Sequence, residues 1–221
     1  MKKNNISVII PAYNEGHSIA NVVKVASDSK LFDDIIVISD GSTDNTVEVA
    51  KRAGATLVHN LPIKKGKGAA LLHGITHTDS EMIVFLDADL KGLRVDHLKR
   101  LIAPVLRGDM VMTVGIRDRG SFFSNIARHL PLIGGERALQ RFVIENIPPQ
   151  YLQGFMVEAA LNYYCRSRKL KYGTVFLPGL HIIRKMQKVG FLRGLIQYIK
   201  MFYTVLKAII VVRLAKIKRK F

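Results

Sequence analysis

The sequence predicts an α/β fold in which a mainly parallel sheet is covered by helices. Three observations carry this expectation. Short apolar runs rich in β-branched residues alternate, over residues 1–114, with segments whose apolar residues recur at helical spacing. The runs are apolar throughout, as strands buried on both faces require. The first, second and fourth runs each stop at a turn crowded with acidic, small or glycine residues. In open α/β sheets, ligands sit beyond the carboxyl ends of the strands.

The elements follow in order. Residues 6–10 form a continuous apolar run ended by Pro11-Ala12-Tyr13-Asn14-Glu15-Gly16. A helix over 18–29 carries Ile19, Val22, Val23 and Ala26 at helical spacing. Residues 35–38 make a second buried strand, ending in Ser39-Asp40-Gly41-Ser42-Thr43-Asp44, and a helix over 45–53 follows a cap-rich entrance. Residues 56–59 read as a short third strand. Gly66-Lys67-Gly68 opens a helix through Ala69, Leu72 and Ile75. The fourth strand, 82–86, delivers Asp87 and Asp89; 95–107 is helical and 110–114 a fifth strand.

Residues two apart in extended chain point to the same face. Asp87 and Asp89 therefore aim at one point where a buried strand ends. Two hard oxygen donors suit Mg²⁺ or Mn²⁺ held together with phosphate oxygens; the same pattern also suits a plain strand-end turn, where Asp is common. The topology brings Tyr13, Glu15, Asp40, Asp87 and Asp89 toward one cleft. No Gly-x-Gly-x-x-Gly follows the first strand, which argues against a nicotinamide cofactor, and Gly66-Lys67-Gly68-Ala69 lacks the Walker spacing. That glycine-lysine turn either approaches a phosphate at a helix start or is a solvated basic turn.

With 34 Lys+Arg against 17 Asp+Glu, the 221-residue chain carries a formal net charge of +17. Such a surface favours anionic partners. The single cysteine, Cys165, excludes an internal disulfide and a Cys-rich zinc site, and reads as a small buried apolar residue on a helix. The amino terminus has no secretion signal, and Pro11 halts its apolar run. In 191–221, Arg193, Gln197, Lys200, Thr204 and Lys207 form a narrow stripe on an otherwise apolar helix with a basic end. This fits a helix lying in an anionic membrane surface; the alternative is packing on the body or on a second copy as a homodimer. Lys200 and Lys207 make spanning costly. The expected location is cytoplasmic, peripheral on the inner face of the cell membrane.

Four segments, Val8-Ile9-Ile10-Pro11-Ala12-Tyr13-Asn14-Glu15, Ser39-Asp40-Gly41-Ser42-Thr43-Asp44, Gly66-Lys67-Gly68-Ala69-Ala70-Leu71 and Phe85-Leu86-Asp87-Ala88-Asp89, resemble in order those of family 2 glycosyltransferases with the GT-A fold. The resemblance is strong over about residues 5–120 and looser over about 121–190. It is nearest to the branch of dolichol-phosphate mannosyltransferases and related polyprenyl-phosphate sugar transferases. It implies a GT-A domain over 1–190, with a nucleotide-sugar half at 1–114 and an acceptor half at 115–190, followed by the helix 191–221.

By the same resemblance Pro11, Ala12, Tyr13 and Glu15 line the nucleoside pocket, with Glu15 near the ribose. Asp40 accepts a hydrogen bond from the base, beside Gly41. Lys67 lies close to the nucleotide. Asp87 and Asp89, flanking Ala88, hold the divalent ion that bridges the diphosphate. In the second half, Arg117 and Arg119 fall in a basic segment, and Gly135, Glu136 and Arg137 in an acceptor-side segment. Glu158 faces the reacting sugar. His181 completes the metal shell, and Arg184 and Lys188 reach phosphate. Asp89, Glu158 and Arg117 are the expected catalytic set.

Two departures matter. Lys91 stands where the mannosyltransferase branch commonly has a metal-side Gln, and an ammonium cannot ligate. The Glu-Asp pair of many polysaccharide-making members is absent near Glu158, which favours an acceptor whose oxygen is already ionised. The resemblance thus implies a metal-dependent, inverting transfer from a UDP- or GDP-sugar to a polyprenyl phosphate. The alternative is the same donor chemistry onto a soluble or polysaccharide hydroxyl. An alternative of another class is a non-catalytic basic protein binding membrane or nucleic acid, against which no nucleic-acid module is present.

Overall fold

The computed structural model describes residues 5–117, 134–154 and 156–182. The expected alternation is present: β1 (Ile6–Ala12), α1 (Ile19–Ser29), β2 (Asp34–Ser39), α2 (Thr46–Arg52), β3 (Leu57–Asn60), α3 (Lys67–Ile75), β4 (Met82–Phe85), β5 (Leu90–Lys91), α4 (Val95–Leu106) and β6 (Met112–Arg117). The second half adds β7 (Arg137–Gln140), α5 (Arg141–Glu145), a 3-10 turn (Pro149–Tyr151), α6 (Met156–Ser167), β8 (Tyr172–Leu177) and β9 (His181–Ile182). The main sheet has seven strands in the order β3-β2-β1-β4-β7-β6-β8, and β5 pairs with β9 separately.

Burial explains why the strands read as unbroken apolar runs. Along β1, Ile9 joins a core with Ile36, Leu71, Ile83 and Leu161 on one face of the sheet. Val8 and Ile10 join Val22, Val23, Leu98 and Leu101 on the other. Side chains alternate across a strand, so two helical layers make most positions apolar; the buried Ser7 is an exception whose hydroxyl meets Asp34, Thr78 and Ser80. Cys165, as expected, is a buried free thiol on α6.

The fifth strand begins two residues later than expected, at Met112. The amide of Met110 is taken by Pro104 O and that of Val111 by Lys171 O, and Val111 reaches β7 only through its carbonyl, which accepts from the Gln140 amide.

Strand β7, in the middle of the main sheet, is among the elements that the sequence reading missed. It runs antiparallel to both β4 and β6, with Phe85 opposite Arg137 and Val114 opposite Arg137. Its reversed direction sends the residues before it, Gly134–Glu136, past the carboxyl end of β4. Strand β6, antiparallel to β7, ends at Arg117 on that same edge. The carboxyl ends of β1, β2, β4 and β6 and the entrance to β7 thus share one rim. Arg119, Arg184, Lys188 and the helix expected over 191–221 lie outside the described residues. Among the described residues no helix is long and apolar enough to cross a membrane.

Candidate active site

The first two rim loops are stitched together. Asn14 adopts a left-handed backbone (φ 53°). Its amide donates to Ser42 Oγ (3.0 Å) and its side-chain oxygen accepts from the Thr43 amide (2.9 Å). The Glu15 amide donates to Thr46 Oγ1 (2.9 Å), and the Glu15 carboxylate accepts from Ser18 Oγ (2.7 Å). These bonds hold Pro11 and Ala12, at the end of β1, and the exposed Tyr13 in a fixed frame. The Lys64 ammonium sits 3.4 Å from the Tyr13 ring centroid, a cation–π contact.

Asp40 has a structural role that the sequence did not show. It is buried, and its carboxylate accepts from the Lys65 amide (2.6 Å) and the Gly66 amide (2.8 Å). With one amide on each oxygen, the carboxylate organises the turn that enters α3 and keeps further lone pairs for another donor. Gly41 (φ +72°) serves the same turn, since a Cβ there would meet Lys64 N at 2.8 Å.

Lys67, the first residue of α3, is the centre of the site. Its ammonium lies 2.7 Å from Asp87 Oδ1 and 3.0 Å from Glu158 Oε1. Burial works against its charge, but the two carboxylates outweigh burial and hold its pKa above the ordinary lysine value. Glu158 reaches Lys67 because the segment before α6 presses on the start of α3. A Cβ at Gly68 would overlap Leu152 O and come within 2.9 Å of Gly154 N. Glycine at position 68 is therefore a packing requirement.

Arg117, Gly135, Glu136 and Arg137 line the other side of the rim, in different roles. A Cβ on Gly135 would overlap the Asp87 carboxylate. Arg117 Nη2 lies 3.9 Å from Asp87 Oδ2, and its Nε lies 3.2 Å from Glu136 Oε2. Among the described residues, Arg117 Nη1 and both Glu136 oxygens are buried without a hydrogen-bond partner. Burial raises the Glu136 pKa to about 7, opposed by Arg117 and reinforced by Asp87.

Glu136 is wholly buried, so it acts through Arg117 and not on a ligand, contrary to expectation. Arg137 is likewise corrected. With 1% exposure, it donates to Gly134 O (3.0 Å) and to Asn162 Oδ1 (2.8 Å) on α6. Its position in β7 turns the guanidinium into the core, where it cannot meet a phosphate.

Asp87 and Asp89 are both half-buried at the rim, and Ala88 between them is buried. Immediately beyond, Lys91 of β5 stands opposite His181 of β9. Cross-strand partners share a face, so His181 is brought beside the segment where Lys91 replaces a ligating side chain. The turn before β9 is pinned by His97, buried on α4, whose Nε2 lies 2.9 Å from Pro178 O. Gly92 permits the close passage, since a Cβ there would meet Gly179 O at 2.6 Å. Asp87 and Asp89 offer the hard oxygen donors that suit Mg²⁺ or Mn²⁺, but among the described residues the ligand atoms of Asp87, Asp89 and His181 do not gather into one cluster of three. The sequence reading took Gly68 only as part of a glycine-lysine turn and did not single out Gly92 or His97; the packing roles of all three lie in contacts distant along the chain.

Residues 7–167 match the family model described as glycosyl transferase family 2. Glucosyl-3-phosphoglycerate synthase of Mycobacterium tuberculosis is 30% identical over 186 residues, which are 79% of this chain and 57% of that protein. The chain therefore spans little more than half the length of that relative. The 4,4'-diaponeurosporenoate glycosyltransferase of Staphylococcus aureus is 37% identical over 102 residues, 44% of this chain and 27% of that protein. A crystal structure of the mycobacterial synthase with Mn²⁺, UDP-glucose and phosphoglyceric acid superposes with a TM-score of 0.76 at 26% identity, covering 94% of this chain and 79% of that one. Its complex with Mg²⁺ and UDP gives 0.70 at 27% identity, covering 80% and 71%.

Proposed function

Because the chain belongs to glycosyl transferase family 2, we propose that it moves a sugar from a uridine-diphosphate sugar to a hydroxyl of a soluble, anionic acceptor. The observation that carries this reading is the Lys67 ammonium held between Asp87 and Glu158 at the rim of β1, β2 and β4. A loop carboxylate and one from the first turn of α6 meet there at the positive end of α3, which suits the phosphates of a donor.

Asp87 and Asp89, with His181, would hold Mg²⁺ or Mn²⁺. When bound, the cation supplies Lewis-acid neutralisation of the departing diphosphate. Tyr13 and Lys64 border the nucleoside side, with Glu15 fixed behind them. Lys67 keeps the Asp87 and Glu158 carboxylates oriented and adds a positive charge beside the diphosphate. Arg117 Nη1, buried and without a partner among the described residues, would meet a phosphate oxygen after a small rotation of the guanidinium. A charge-assisted bond there would also relieve its desolvation.

A soluble acceptor is supported by the likeness to a synthase crystallised with phosphoglyceric acid. It replaces the polyprenyl phosphate favoured by the sequence resemblance. The lipid remains the second reading, on the amphipathic pattern of 191–221. Radiolabelled UDP-glucose and Mn²⁺, offered with 3-phosphoglycerate or with polyprenyl phosphate in detergent micelles, separate the two. Label in the water-soluble anionic fraction supports the proposal; label extracted with lipid overturns its acceptor. No UDP- and metal-dependent rise in melting temperature would overturn the donor reading, since a ligand that binds only the folded chain must stabilise it.

A further inference from the structure

A second cluster of metal-ligating side chains lies outside this site. His73 is in the last turn of α3, and His77 follows it by four residues in the turn just after the helix. His59 reaches them from β3, the edge strand of the sheet. The ring centroids are 4.4 Å apart for His59 and His73, 4.8 Å for His73 and His77, and 5.6 Å for His59 and His77. The Nε2 atoms of His73 and His77 are 3.2 Å apart. One ring nitrogen from each of the three lies within 4.8 Å of the others.

These spacings are close to those of a coordination shell. Nitrogens bound tetrahedrally to one ion at about 2.1 Å stand about 3.4 Å from one another. The His73–His77 pair is already near that separation, and a side-chain rotation of His59 closes the remainder. The charge environment points the same way. Burial lowers the His73 pKa, and His59, His77 and Lys65 lower it further. Neutral imidazoles with exposed lone pairs are the ligating form. In the metal-free chain one of the His73 and His77 rings donates to the other, and no carboxylate partners the three rings among the described residues; a shared cation would replace that one bond with three.

We propose that His59, His73 and His77 form a binding site for a late first-row divalent ion, with Zn²⁺ as its occupant. His77 is exposed and the other two half-buried, which leaves an entry path and a fourth position facing solvent. An all-imidazole shell prefers Zn²⁺ to Mg²⁺ or Mn²⁺, so the chain sorts two classes of cation between two sites. The occupied site clamps edge strand β3 to α3, the helix that presents Lys67 at its other end.

The test uses the full chain without a histidine tag, stripped with EDTA, dialysed and titrated with Zn²⁺ by calorimetry and thermal melting. The expected result is one Zn²⁺ per chain that excess Mg²⁺ does not displace. At a hundredfold excess over Kd, the melting temperature rises by about 5–10 °C. His77→Ala weakens binding by more than the ~100-fold that outer-shell changes cost, while Asp87→Ala/Asp89→Ala leaves the Zn²⁺ isotherm unchanged. His77→Gln, polar but without the ring nitrogen, gives the same loss and guards against misfolding of the alanine variant. Wild-type affinity in both His77 variants, loss of binding in the aspartate variant, or no Zn²⁺ uptake by the wild type would overturn the proposal.

Discussion

Gly135→Ala adds one methyl group against the Asp87 carboxylate. A Cβ there would stand 2.7 Å from both Cγ and Oδ1 of Asp87, and closer still to Oδ2, whereas ordinary contact begins at 3.4 Å. The carboxylate must withdraw by roughly 1 Å, and misplacement on that scale costs about 100-fold in rate. Gly135 is not among the glycines with positive φ, so the backbone accepts alanine and the whole effect runs through Asp87. Its 2.7 Å contact with Lys67 is lost as well. Overpacking of this kind costs about 1–3 kcal/mol of stability, a fall in melting temperature of roughly 2–12 °C for a chain of this size. Calorimetry of UDP binding in a Mn²⁺ series, alongside transfer from UDP-glucose, reads the two consequences. Metal-dependent binding and kcat/KM should both fall by about 100-fold while the protein still melts cooperatively. A variant within threefold of wild type on both would refute the claim that Gly135 positions Asp87.

Lys67→Met keeps the aliphatic stem and removes the ammonium, leaving Asp87 and Glu158 facing each other. Thermal melting in EDTA should show a loss of up to about 3 kcal/mol, shrinking in Mn²⁺ as the cation takes over neutralisation; no loss in EDTA would contradict the ion-pair geometry. Asp40→Ala orphans the amides of Lys65 and Gly66, and bonds to a charged acceptor contribute about 1.5–3 kcal/mol each. Urea unfolding should report a deficit of about 3 kcal/mol, partly restored in Asp40→Asn. Glu136 has a folded pKa raised to about 7 from an ordinary 4.5. The folded state therefore holds its proton more tightly, and the stability this brings is complete below about pH 4.5 and lost as pH rises toward 7. The Glu136→Gln variant should lack that loss, so the melting-temperature difference between variant and wild type should change between pH 5 and 7.5. A constant difference would show that Glu136 is ionised throughout.

How much was legible depended on whether the signal was local. Strands β1, β2 and β4 were readable because burial on both faces leaves an unbroken apolar run. Strand β7 was not, because its four residues Arg-Ala-Leu-Gln include a fully buried arginine. That arginine is tolerated because Gly134 O and Asn162 accept its protons, and neither partner can be inferred from the tetrapeptide. The same burial removed Arg137 from the phosphate-binding residues that the family pattern suggested. Among the histidines, the four-residue spacing of His73 and His77 lies open in the sequence, but His59 joins them only through the packing of β3 beside α3.

What the sequence determined by itself was which segments must be buried strands, and that acidic and glycine-rich turns close them on one rim. Periodicity and turn chemistry act over a few residues and survive in any compact arrangement of the chain. Only the tertiary structure decided what those turns do: that Asp40 ties down a loop, that Glu136 stands behind Arg117, and that Lys67 joins Asp87 to Glu158, a residue 91 positions away. Such a contact follows from backbone passing tightly over Gly68. It depends on two distant segments sharing one volume, and no local pattern encodes that.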